Sequence, residues 1–173
     1  MSMRSYSERL YGVNVTNIEL SLETKIIAIK TILEFDKNFF IDKDCYSDAE
    51  YVANYTSLDK VTNDEYIKKV ENIFDIIEEE YEGDSCNTGF WSFFADYVSS
   101  ASKISISYSC SNVDYYKVIG MPEGYPWLFR TNEKSLESKD VEELLKKYLI
   151  FFNIHIDYDD AFWCYYEEVE FFG

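Results

Sequence analysis

The chain has 173 residues, and its 33 Asp and Glu against 16 Lys and Arg leave a net charge of −17. That balance excludes a surface built for nucleic-acid phosphates or anionic lipid. With 47% hydrophobic and 18% aromatic residues, the chain has core material for one domain without disulfides or metals, and it does not read as an acidic disordered segment.

From Met1 to Leu20 there is no apolar run of about 7–15 residues such as a secretory leader needs. The longest apolar stretch, Ile26–Leu33, is interrupted by Lys30 and falls far short of the roughly 20 residues that span a bilayer. A cytoplasmic protein with no membrane partner is expected. Leu22, Ile26, Ile29 and Leu33 recur at helical spacing and predict a helix from Ser21 to about Phe35, with Ser21 as N-cap. Between Asp36 and Lys60 acids mix with Phe39, Phe40, Tyr46, Tyr51 and Tyr55, and a short helix is expected around Asp48–Tyr55.

The second helix opens on Thr62-x-x-Glu65, a capping-box spacing, and carries the stripe Ile67, Val70, Phe74, Ile77 and Tyr81, with Gly83 at the place of a C-cap. Its other face carries Glu71, Asp75, Glu78, Glu79, Glu80 and Glu82. Carboxylates at a helix C-terminus oppose the macrodipole. Local stability therefore does not select them there.

Phe90–Ala101 reads as a third, strongly apolar helix. At Lys103 the period changes to two: Ile104, Ile106, Tyr108 and Cys110 alternate with Ser105, Ser107 and Ser109, as in a half-buried strand. Tyr115–Ile119 and Tyr125–Arg130 are expected as strands joined by a Gly120–Gly124 turn. A last helix follows from Lys139 to Phe151, capped by Ser138, with Val141, Leu144, Leu145 and Tyr148 inward. Ile154–Tyr158 and Phe162–Phe171 close the chain as two strands joined at Asp159-Asp160. No repeat or linker divides it. The expected class is α+β: one domain of residues 1–173, N-terminal helices packed on one face of a mostly antiparallel sheet, ending in a β-hairpin.

No catalytic residue set emerges. His155 is the sole histidine and lacks a G-x-S-x-G elbow. The His155-x-Asp157 pair lacks the second histidine of an iron facial triad. Asp42-x-Asp44 begins like a calcium loop, but Tyr46, Ser47 and Ala53 occupy the positions that need an oxygen ligand, Gly and Glu. Asp157, Asp159 and Asp160 could hold a magnesium ion weakly, and a polar turn between strands explains them equally well. Phosphate-cradling glycine loops are absent. Cys45, Cys86, Cys110 and Cys164 form no C-x-x-C pair and read as reduced, mostly buried thiols. No enzyme, cofactor or metal is expected.

The charge is concentrated. Thr62–Asp84 holds nine acids, ending in Asp75, Glu78, Glu79, Glu80, Glu82 and Asp84, against Lys68 and Lys69. Ile150–Gly173 holds Asp157, Asp159, Asp160, Glu167, Glu168 and Glu170 with no Lys or Arg, among Trp163 and Tyr165. A solvated face explains charge alone. Crowded like charges, however, cost stability unless a cationic partner relieves them, and Tyr and Trp are interface anchors. These residues are the expected partner-binding face. In composition the chain resembles small acidic inhibitors of two kinds: immunity proteins that neutralise a basic nuclease-type toxin, and anti-CRISPR or anti-restriction proteins that imitate DNA. The first is favoured because a duplex mimic needs carboxylates repeated along an extended surface. A structural or adaptor module, anchored by Trp127, Phe129 and Trp163, is the reading from another class.

Overall fold

A computed structural model describes residues 4–56, 62–83, 88–110, 117–122, 138–157 and 162–171, with side chains at all of these except 4–9, 138–139 and 162–171. The element order is β1 (Arg4–Asn14), α1 (Leu22–Phe35), α2 (Lys37–Asp42), α3 (Tyr46–Asn54), α4 (Asp64–Glu80), α5 (Phe90–Ser102), β2 (Ser107–Cys110), β3 (Lys117–Pro122), α6 (Ser138–Phe151) and β4 (Phe162–Phe171). The strands form one antiparallel sheet in the order β2-β3-β1-β4. The class is α+β, as the periodicity implies.

On β1, Tyr11 and Val13 pair with Met121 and Ile119 of β3 and join the core beneath the helices. The Tyr11 hydroxyl donates to Glu142 Oε1 at 2.5 Å and ties α6 to that side. Leu10 and Gly12 alternate to the opposite side, where Leu10 and Val118 are fully buried in a small cluster of their own. The centre of the sheet is therefore shielded on both faces.

The aromatic residues supply the core. Phe90, Phe93, Phe94 and Phe152 are fully buried, and Phe152 of the α6 exit meets the other three rings at 5.6–5.9 Å between centroids. Edge and tilted geometries of this kind add about 0.5–1.5 kcal/mol per pair beyond burial. Tyr66 is buried on α4, stacks on Tyr55 and donates its hydroxyl to the Val52 carbonyl. Part of the tyrosine content thus serves the core, which an interface reading of composition alone overlooks.

Ser21 caps α1 as expected, accepting the Thr24 N–H at 3.1 Å. The cap of α4 is instead Asn63, whose Oδ1 accepts the Tyr66 N–H, so the Thr62–Glu65 box is displaced by one residue. The buried stripe of α4 comprises Tyr66, Val70, Ile73, Phe74 and Ile77, with Ile67 only half-buried. Gly83 is not a left-handed cap; the helix ends at Tyr81 in extended backbone.

Three strand expectations change. The Ile104–Ile106 part of the alternating run is not in the sheet, because the Ser99 hydroxyl engages both the Ile106 N–H at 2.8 Å and its carbonyl at 3.0 Å, so β2 begins at Ser107. Ile154–Asp157 forms no strand: the Ile154 N–H is taken by the Leu149 carbonyl at 2.8 Å after Asn153 turns left-handed, φ +57°. In place of a closing hairpin among the described residues, β4 pairs with β1, from Arg4↔Phe171 to Val13↔Phe162. Gly120–Pro122 belong to β3 and not to a turn, while the expected strand at 125–130 lies outside the described residues.

Gly12 and Gly120 face each other across β1 and β3. A Cβ on Gly12 would lie 1.9 Å from the Ile119 carbonyl oxygen, and one on Gly120 would lie 2.5 Å from that of Tyr11. Gly12→Ala is expected to destabilise by about 3 kcal/mol, the upper end for overpacking. In a chain of this size that lowers Tm by roughly 6–12 °C in thermal unfolding followed by circular dichroism. An unchanged Tm would mean the two strands do not approach this closely.

Candidate functional site

The acidic face of α4 follows from its amphipathic sequence. The stripe from Tyr66 to Ile77 is buried, which leaves Asp75, Glu78, Glu79, Glu80 and, past the helix end, Glu82 exposed. No basic residue stands in the last turn. The carboxylates therefore meet the negative end of the helix dipole.

These acids are not equivalent. Glu71 is half-buried and pairs with Lys25 at 2.5 Å, the Lys25 ammonium lying 5.3 Å from the centre of the Phe74 ring. Glu80 pairs with Lys43 and Asp48 with Lys69, and each hydrogen-bonded carboxylate holds its lysine above the usual ammonium pKa. Exposed pairs of this kind contribute little to stability.

Glu78 has a structural task. Its Oε1 accepts the Phe90 N–H at 2.9 Å, capping α5, whose own N-cap is Gly89 at φ +101° and supplies no side chain. Nothing in the sequence pattern joins positions 78 and 90. A glycine N-cap before an aromatic run, with acids twelve residues earlier, is the only signal. Asp75, Glu79 and Glu82 make no ion pair or side-chain hydrogen bond among the described residues. Asp84 lies outside them.

Glu82 also lines a cleft of about 670 Å³, walled by Phe35, Asp36, Tyr81, Asp96, Ser99, Ser100 and Lys103. These are the C-terminal ends of α1, α4 and α5, closed by the caps Asp36, Tyr81 and Lys103, and none of the three helices has a basic residue in its last turn. Asp36, Glu82 and Asp96 thus line the cleft beside three helix C-terminal ends, with Lys103 the one basic residue among the lining residues. No local sequence signal marks this convergence, because helix ends far apart in the chain meet only through tertiary packing.

The second expected patch lies largely outside the described side chains. Asp157 is exposed, while Asp159 and Asp160 lie outside the described residues. On β4, positions 163, 165 and 167 are in register with Gly12, Leu10 and Glu8, the row on the side of the sheet away from the helices. Positions 168 and 170 are in register with Ser7 and Ser5, in the alternate row shared with Tyr11 and Val13. Trp163, Tyr165 and Glu167 therefore share a row that excludes Glu168 and Glu170. β4 is also the outer strand of the ordered sheet, where charged residues discourage edge pairing. Trp127 and Phe129 lie outside the described residues.

His155 is exposed after α6, outside any strand. Cys45 is buried and Cys110 half-buried, both free, and burial raises the Cys45 thiol pKa. Burial also drives the Tyr108 hydroxyl well above its ordinary value. Among the described residues no group of three or more His, Cys, Asp or Glu side chains is placed to hold a metal ion. No described helix is long and apolar enough to cross a membrane.

No protein-family model, no curated protein and no solved structure matches the chain.

The different tasks of neighbouring glutamates are separable by melting. Glu78→Ala is expected to cost about 1 kcal/mol, the usual value of a lost helix cap. Glu79→Ala, which removes a charge opposed to the dipole, should leave Tm equal or higher. Equal losses at both positions would contradict the capping assignment.

Proposed function

We propose that this chain acts by binding and not by catalysis, as an acidic inhibitor of a basic protein. Its most economical identity is a cytoplasmic immunity protein that covers the basic cleft of a nuclease-type toxin. The observation that carries this reading is the trio Asp75, Glu79 and Glu82 on α4 and just past its C-terminal end, none of them held in an ion pair or side-chain hydrogen bond among the described residues. A helix end arranged for stability alone would carry Lys or Arg there. Clustered charge of this kind steers a cationic partner to the surface and raises its association rate.

The internal pairs of Glu71 and Glu80 and the capping role of Glu78 narrow the binding set within the acidic run. They leave the α4 end as the better-supported face. For β4, protection of an edge strand accounts for the acids equally well. A DNA-mimicking anti-defence protein needs carboxylates repeated at regular intervals over a long surface, and the separate acid groups here favour a toxin partner.

Capture from lysate of the source cell, at low and at high salt, tests the reading. The chain should retain a basic protein near 50 mM salt and release it near 1 M, where the screening length falls to about 3 Å. Glu79→Lys with Glu82→Lys should slow association about tenfold or more and flatten its salt dependence. Capture of neutral proteins unaffected by salt would reject an electrostatic inhibitor and favour an adaptor module. A toxin gene beside this one, as against phage or defence genes, separates the two inhibitor classes.

A further inference from the structure

We infer that the cleft between the C-terminal ends of α1, α4 and α5, with the aromatic ledge beside it, is the docking surface for a basic protein segment: one arginine side chain enters the cleft and an adjoining apolar residue lies on the ledge. This rests on the binding reading above and adds to it the place and chemistry of contact.

Two independent features meet at Phe35. The first is electrostatic. Asp36, Glu82 and Asp96 line the cleft together with three helix C-terminal ends, and Lys103 is the one basic residue among them. Asp96 Oδ2 is held close to the α4 exit, 3.1 Å from where a Cβ on Gly83 would stand. The second is apolar. Phe35 is 38% exposed, Phe151 50% and Ile150 62%. Tyr97 links the two phenylalanines, meeting the Phe35 ring edge-on at 5.6 Å and stacking on Phe151 at 6.1 Å. Phe35 thus both walls the acidic cleft and begins a ledge that runs over Tyr97 to the end of α6.

Charge complementarity selects the occupant. A second copy of a chain of net charge −17 is repelled from an anionic cleft, as is a nucleic acid. A guanidinium fits better than an ammonium, because its planar fork can bond a carboxylate of the cleft while its face rests on the exposed ring of Phe35. An aromatic ledge flanking a charge pocket is the arrangement of an interface anchor ringed by apolar contact.

The probe is the peptide N-acetyl-Leu-Arg-Leu-amide, titrated at low ionic strength into the full-length ¹⁵N-labelled chain. Saturable shifts are expected at the amides of Asp36, Glu82, Ser99, Ser100 and Lys103, and at Ile150 and Phe151, with little change at Asp75 and Glu79. Asp36→Asn with Glu82→Gln should weaken binding about tenfold or more, and Phe151→Ser should weaken it several-fold. The Leu-Glu-Leu peptide should not bind. Melting of each variant verifies that it is folded, and Glu82→Gln used alone keeps the test if the double variant is not. Shifts spread evenly over the acidic surface, or none at millimolar peptide, would overturn the cleft assignment even where a basic protein is captured. Failure to capture any basic protein is the separate outcome that defeats the binding reading.

Discussion

The packing of Phe152 against Phe90, Phe93 and Phe94 sets where everything else lies. It holds the end of α6 to α5. From the other side, Phe74 of α4 meets Phe90 at 6.1 Å, and Tyr81 meets Phe93 at 5.5 Å. With the α5 axis pinned by rings along its length, its first N–H groups come under the acidic exit of α4, and Glu78 caps them. Its last turn lies beside the ends of α1 and α4, forming the cleft. The core is thus the reason that acids from one helix meet the ends of two others.

This placement sets stability against charge. Part of the acidity is reconciled within the fold: Glu71, Asp48 and Glu80 each have a lysine, and Glu78 has a helix N-terminus. What is left at the α4 end, Asp75, Glu79 and Glu82, makes no ion pair among the described residues. Each such charge costs a few tenths of a kcal/mol at low salt. A fold of marginal stability retains such a cost where the charge serves a purpose outside itself.

Helix periodicity was the most legible feature of the sequence. α1, α4, α5 and α6 are read from their apolar spacing, because each buries a stripe against one core. β1 was not legible. Leu10, Gly12 and Val13 are buried and Tyr11 is half-buried, two of the four on each side of the sheet, and a strand shielded on both faces loses the alternation that reveals a strand. The partner of β4 was not legible either, since it pairs with β1, far earlier in the chain. The acids at the end of α4 could be named from sequence, but not sorted: whether a glutamate caps, pairs or stands alone depends on Phe90, Lys43 and Lys25, all distant in the chain. The cleft left no local trace.

The functional reading stands on Asp75, Glu79 and Glu82 being without an ion pair among the described residues and a net cost to the fold. Thermal melting of the chain and of the triple variant Asp75→Asn, Glu79→Gln, Glu82→Gln, from 10 mM to 1 M NaCl, measures this directly. The variant should melt several degrees above the parent at low salt, and the two curves should converge as screening shortens to about 3 Å. A variant that melts at or below the parent at 10 mM would show that the fold itself uses these charges, and would contradict their reservation for a cationic partner.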